Sequence, residues 1–243
     1  MRAMADAPPC FHEENPELAL SRRALAEFTG TLMLVFAASG AGHSATRLFP
    51  HQPGAAALMI TVAVPASLVG LIVTFGRISG GHFNPLISGL QGLAGQRSAV
   101  CALVYIAAQI IGGVGGGILA SIAWGEAAQG AGAIVPGAFA SEFIASAGLM
   151  LVVFGVAWRA SADTGPFAVG AWLLAAILAT PTGSYANPAV TIGAAATSGP
   201  LALGETATLL YVGAELAGAL AAFLLIAVLF PKPAVHRPTG PGA

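Results

Sequence analysis

The sequence predicts an all-α membrane protein with six transmembrane helices plus two re-entrant half-helices, arranged as an inverted repeat. Three observations carry this. Charged residues make up 8% of the 243, against about 25% in a soluble domain. Hydrophobic residues reach 56% and mean hydropathy is +0.83, more apolar surface than one water-soluble core can hide. Six apolar runs approach or reach the roughly 20 residues that span a bilayer core, and two others are about half that length.

The same composition excludes other classes. The 32 glycines follow no Gly-X-Y period and sit among apolar residues, so they read as close helix packing. Net charge is −1 with no basic run, which argues against nucleic acid as a partner. Cys10 and Cys101 are too few for a disulfide framework and lack metal-ligand spacing. His12, His43, His51, His82 and His236 are scattered through tails and loops. No Ser-His-Asp set or Cys/His cluster exists, so neither enzyme chemistry nor a metal or cofactor is expected.

In chain order, residues 1–21 mix prolines with acidic residues and no apolar run, and read as a flexible cytoplasmic tail. The spans are expected near 22–45, 54–76, 98–122, 137–159, 165–181 and 204–230. The fifth is short and ends on Pro181. Residues 231–243, rich in proline, form a second cytoplasmic tail. Residues 22–230 between them form one integral membrane domain, with repeats at about 22–122 and 137–230. The half-length stretches lie near 84–95 and 187–197, and each begins with Asn-Pro.

Basic residues set the orientation. With the N-terminus inside, Arg2, Arg22, Arg23, Arg77, Arg97, Arg159, Lys232 and Arg237 all fall on or near the inner face. Of the 9 basic residues only Arg47 lies outside, so both termini are expected in the cytoplasm.

The chain reads twice. Ala26-Glu27-Phe28 answers to Ser141-Glu142-Phe143. The run from Gly80 to Asn84-Pro85 answers to that from Gly183 to Asn187-Pro188. Tyr105 to Gln109 and Gly112 answers to Tyr211 to Glu215 and Gly218. Three landmarks in the same order indicate duplication. Three spans per copy make the second enter the membrane from the opposite side, giving a pseudo-two-fold axis in the membrane plane.

A helix that begins in mid-bilayer leaves N–H groups unpaired, which lipid does not tolerate. Proline at the first helical position has no N–H to strand, and asparagine before it can cap the turn. Inversion points both positive dipole ends at the midplane, where Asn84 and Asn187 meet. Backbone of Gly80, Gly81, His82, Gly183, Tyr185 and Ala186 would line a polar track ahead of each asparagine. Such a path suits neutral hydrogen-bonding solutes and opposes cations and protons at its centre.

At these residues the sequence resembles the aquaporin (major intrinsic protein) family. Ser79-Gly-Gly-His-Phe-Asn84-Pro85 is similar to that family's first pore loop, and Asn187-Pro188-Ala189 matches its second. The Ala-Glu-Phe opening and the Tyr-x-x-Ala-Gln run also match, and the resemblance covers roughly Arg22 to Phe230. It implies the hourglass fold, passive conduction, a homotetramer with one pore per subunit surrounded by lipid, and a bacterial inner membrane location. It is nearest to divergent bacterial aquaglyceroporins, some of them associated with arsenic handling.

Three departures bear on selectivity. The first motif ends in Leu86 where the family usually has alanine, and a bulkier side chain there would narrow or reposition the centre. Val190 stands where the family places the arginine of its outer selectivity filter. Counting by family spacing puts Val64, Ala175 or Ala176, and Ser184 at the other filter positions, a small and largely apolar ring. The expected solutes are glycerol-like polyols, urea, undissociated arsenous acid or other metalloid hydroxides, and water. The central half-helix barrier to protons should outlast the missing arginine.

Glu27, Glu142 and Glu215 fall inside predicted spans, where an acid must be paired or face the interior. Glu27 and Glu142 read either as a proton relay or as braces that hold the two re-entrant loops, with repeat symmetry favouring braces. Glu215 is expected to brace its own helix. His82 reads as a pH gate or as a side chain packed behind its loop. The glycine-rich run Gly112–Gly117 resembles a helix-packing seam. Alternatives to an open channel are a water-selective or closed aquaporin-like protein blocked at Leu86, and an ion-coupled carrier, which would need a titratable group at the midplane.

Overall fold

The computed structural model describes residues 18–125, 134–158 and 162–230. The two expected tails fall almost wholly outside these residues, as do Arg2, Arg159, Lys232 and Arg237. Among the described residues, the regular elements are helices: α1 (Leu20–Leu48), α2 (Pro53–Ser79), α3 (Pro85–Leu93), α4 (Ala99–Trp124), α5 (Ala138–Trp158), α6 (Gly165–Ala179), α7 (Pro188–Ala194) and α8 (Glu205–Leu229). Single 3-10 turns occupy Ala162–Thr164 and Gly199–Leu201. Five helices are long and apolar enough to cross a membrane.

The fifth span, α6, has 15 residues and rises about 22 Å, short of a hydrocarbon core of roughly 30 Å. It stops two residues before the expected 181 because Thr180 precedes a proline. The ring of Pro181 disfavours helical backbone there, and Thr180 is extended at φ −116°, ψ 138°. The half-helices are also shorter than expected, with 9 residues in α3 and 7 in α7.

Packing follows the duplication. In the first half α1 lies on α2 and α4, and in the second α5 lies on α6 and α8. Each half-helix packs against the last helix of its own repeat and also against that of the other, α3 on α4 and α8, α7 on α8 and α4. The halves are therefore interlocked through their re-entrant segments.

Glycine makes the interlock possible. A Cβ on Gly112 or Gly116 would strike the Phe28 or Leu32 carbonyl of α1. A Cβ on Gly113 or Gly117 would strike the Ala189 or Gly193 carbonyl of α7. The run in α4 thus presses one backbone on each side. Gly218 of α8 meets the Phe143 carbonyl as Gly112 meets that of Phe28, so the repeat extends to backbone contacts. Without a hydrophobic drive between helices in lipid, such close approach supplies the association energy. Gly113→Ala is expected to lower the melting temperature sharply or abolish the monodisperse protein in detergent. Gly70→Ala, where an added Cβ meets nothing within 4 Å, should be neutral or stabilising by about 0.5–1 kcal/mol. Equal tolerance of both would refute the seam.

Candidate functional site

The site is built from two loops that enter from opposite sides. Between α2 and α3, Gly80 (φ 96°), Gly81 (61°) and Phe83 (47°) are left-handed. Between α6 and α7, Gly183 (75°), Ser184 (54°) and Ala186 (47°) are as well. Phe83 and Ala186 hold matching places, each immediately before the asparagine. A non-glycine residue in this region costs about 1–2 kcal/mol, so its surroundings must impose the conformation.

Buried carboxyls supply that constraint. Glu27 on α1 is fully buried and its Oε1 accepts from the Ser79 hydroxyl (2.6 Å) and the His82 amide (3.0 Å). Its Oε2 accepts from the Phe83 amide (2.7 Å) and Gln109 Nε2 (2.8 Å). Glu142 on α5 accepts from the Tyr185 amide (3.2 Å) and the Ala186 amide (2.8 Å). Glu215 accepts from the Asn187 amide (3.1 Å) and the Thr191 hydroxyl (2.6 Å). Its bonds therefore run to α7 and the loop before it, not to its own helix as the sequence suggested.

Each asparagine caps its half-helix and crosses to the other loop. Asn84 Oδ1 accepts from the Leu86 amide (2.9 Å), and Asn187 Oδ1 from the Ala189 amide (3.0 Å). Asn84 Nδ2 donates to the Ala186 carbonyl (2.9 Å), and Asn187 Nδ2 to the Phe83 carbonyl (2.8 Å). The left-handed turns at Phe83 and Ala186 aim those carbonyls across the axis. One N–H of each amide is used in this exchange, leaving the second for whatever occupies the space beside it. The helix N-termini converge there, so the local field is positive.

That space is a cavity of about 470 Å³ lined by both asparagines. Its aliphatic wall comes from Leu34 of α1, Val64, Leu68 and Ile72 of α2, and Val169, Leu173 and Ile177 of α6. Spacings of four put the α2 set and the α6 set each on one helix face. Its polar wall comes from His82, Thr61, Thr180, Thr182, Ser184 and the loop backbone. No Lys, Arg, Asp or Glu lines it among the described residues.

Of the residues singled out in the sequence, Val64, Gly81, His82, Asn84, Gly183, Ser184, Tyr185, Asn187 and Val190 lie on this wall. Ala175 and Ala176 do not. Ala175 points outward and Ala176 is buried in the core, because the face of α6 turned to the cavity is that of Leu173 and Ile177. Leu86 is buried in the hydrophobic core and does not line the cavity, so it does not narrow it there. Pro85, Pro188 and Ala189 are buried in the half-helix turns, off the wall. Gly80 is also off the wall, since its amide caps α2 on the Gly76 carbonyl (2.8 Å). Ala186 is off it because its carbonyl is taken by Asn84.

His82 both lines the cavity and packs behind the loop. Its Nδ1 is 2.9 Å from Ser88 Oγ, and its ring meets Tyr105 edge-on at 5.6 Å. Gln109 Nε2 donates to the same Ser88 hydroxyl (2.8 Å), completing a chain from Glu27 to the histidine. Thr61, Thr180 and Thr182 on the wall were not anticipated. The only available signal for Thr61 was its place one helical turn before Val64.

Comparison with known proteins is consistent across sequence and structure. A family model described as major intrinsic protein matches residues 14–195. "Aquaglyceroporin AqpS" of Rhizobium meliloti (strain 1021) is 32% identical over 229 residues, covering 93% of this chain and 97% of that protein. "Aquaporin TIP1-2" of Zea mays is 34% identical, covering 89% of each. Among solved structures, the aquaglyceroporin from Plasmodium falciparum superposes with a TM-score of 0.65 at 20% identity, over 86% of this chain and 96% of that one. At that identity the likeness concerns the fold alone.

Proposed function

The chain belongs to the major intrinsic protein family, and on that premise we propose that it conducts neutral solutes larger than water. Its members are passive membrane channels for water and small solutes, not enzymes. Within that class the solutes we assign are glycerol-like polyols, urea, and undissociated arsenous acid or other metalloid hydroxides, with water beside them.

The observation that carries this reading is Val190 on the cavity wall, with no cation among the described residues lining the cavity. A guanidinium at that position would bring five donors and a fixed charge into the path and take up its width. Valine brings neither. A polyol needs donors and acceptors along one side and tolerates hydrocarbon on the other. Thr61, Thr180, Thr182 and the two asparagines provide the first, and the stripes of α2 and α6 the second. The relative from Rhizobium meliloti, named an aquaglyceroporin, points the same way. An ion-coupled carrier would need a titratable or cation-binding group at the midplane; His82 on the wall is tied to Ser88 behind its loop, and none of the described residues supplies a carboxylate there. The same proposal includes a homotetramer in a bacterial inner membrane with both termini cytoplasmic. It rests on the family resemblance and on the bias of basic residues.

Stopped-flow scattering of proteoliposomes tests the solutes. Glycerol, urea and arsenous acid should each enter well above the rate of empty liposomes, insensitive to ionophores. Entry of water alone would overturn the solute assignment.

A further inference from the structure

Among the differences between the two halves of the molecule, one exchanges a buried amide for a buried acid. Gln109 and Glu215 are repeat mates on α4 and α8, as are Glu27 and Glu142 on α1 and α5, and Ser88 and Thr191 on the half-helices. In the first half a neutral amide stands beside the bracing carboxylate, with Gln109 Nε2 donating to Glu27 Oε2 and to Ser88 Oγ. In the second half the amide is replaced by an acid. Glu215 is fully buried and its Oε1 is satisfied by Asn187 and Thr191. No N–H or O–H of the described residues reaches its Oε2.

A buried carboxylate oxygen without a donor costs far more than a buried neutral group. Its surroundings make the cost worse. α8 packs against α5, α7 and α3. The only titratable residue of α5 is Glu142, which interacts electrostatically with Glu215 across the loop, and α7 and α3 carry none. Tyr185 of the loop and Tyr211 of α8 stand beside the two acids as uncharged phenols and bring no donor to Glu215 Oε2. No cation stands among these groups. The two carboxyls hold consecutive amides, Ala186 to Glu142 and Asn187 to Glu215. One positive half-helix terminus thus faces two acids, whereas its repeat mate faces one.

We propose that Glu215 is carried as a neutral carboxylic acid with its proton on Oε2, a positioning residue that lets Glu142 alone act as the anion holding the second pore loop. Gln109 donates to Glu27 and Ser88, whereas Glu215 accepts from Asn187 and Thr191, and the acid adds a proton that the first half lacks. Because the folded protein keeps a proton that the unfolded chain releases at neutral pH, stability falls as pH rises. The proposal does not depend on which solute passes.

Infrared spectroscopy of the purified full-length protein at neutral pH tests it without any flux measurement. The wild type should show the carbonyl stretch of a protonated carboxyl, shifted in deuterated water. That band should vanish in Glu215→Gln and change frequency in Glu215→Asp, which covers the case that the amide variant does not fold. The melting temperature of the wild type should drop between neutral and alkaline pH more than that of Glu215→Gln. A wild type with no such band overturns the proposal. So does a band that persists unchanged in both variants, since the proton would then sit on Glu27 or Glu142.

Discussion

Val190→Arg is expected to slow conduction of glycerol and arsenous acid by roughly thirty- to a hundred-and-fifty-fold while water still passes. Val190 lies on the cavity wall near Asn187, on the first turn of α7. An arginine there would project into the path and draw its donors toward the loop carbonyls around Thr182 and Gly183. A polyol then has to shed hydrogen bonds that a water molecule can replace in single file. Net hydrogen bonds are worth about 1 kcal/mol each, so losing two or three costs roughly thirty- to a hundred-and-fifty-fold in rate. Water, with one oxygen to pass, should slow by less. Stopped-flow permeabilities of both solutes in the same vesicles read the ratio directly. Val190→Leu separates size from charge, because it narrows the path without adding donors or a cation. Glycerol flux that survives Val190→Arg undiminished would show that the limiting constriction lies elsewhere.

The physical logic of that prediction is a division of labour along the cavity. The centre is fixed by elements that cannot vary much. Two half-helix termini, two asparagine amides and the reciprocal bonds to Phe83 and Ala186 lock one another in place. Those groups set a positive field and offer two N–H donors, which suits neutral acceptor-bearing solutes and opposes protons. The walls on either side are side chains on helix faces, free to change size without disturbing the lock. Val64, Leu173, Ile177 and Val190 are therefore the wall positions we propose to set solute width, and Asn84 and Asn187 those we propose to exclude charge.

How much of this could be read from the chain depends on the range of the interaction. Spans, half-helices and their caps are local, and Asn-Pro before a short apolar stretch states its own geometry. The duplication carried the architecture further, because it fixed which segments must face each other. Distances across a bent loop were not legible. Counting back from Asn187 placed the filter at Ala175 or Ala176, but the path crosses the end of α6 and the left-handed residues Gly183, Ser184 and Ala186. None of the non-glycine turns announces itself in sequence, and a shift of one or two residues rotates a helix face by 100° or more. Leu86 failed for a related reason. Its volume was visible, but whether it faced the path or the core depended on the pitch of a nine-residue helix whose setting comes from Glu27, more than fifty residues away.

Glu27→Gln is expected to cost several kilocalories per mole of stability, and more than Glu142→Gln. The Glu27 carboxylate is the meeting point of four buried donors, from Ser79, His82, Phe83 and Gln109. An amide keeps one accepting oxygen and turns the other into a donor, so two of those four groups lose their partner and face an N–H instead. Each buried donor left unsatisfied costs about 1–3 kcal/mol. Two of them remove roughly 2–6 kcal/mol from a net stability of about 5–15 kcal/mol. The left-handed backbone at Phe83 is held by one of the bonds lost, so the Asn187 contact to the Phe83 carbonyl should loosen as well. Glu142 accepts from two loop amides, and its amide variant should orphan fewer groups. Thermal unfolding followed by tryptophan fluorescence in detergent ranks the two. A proton relay at Glu27 makes the opposite forecast, an intact fold with an altered pH profile of flux. A Glu27→Gln protein that melts like the wild type and changes only its pH dependence would establish the relay and remove the brace.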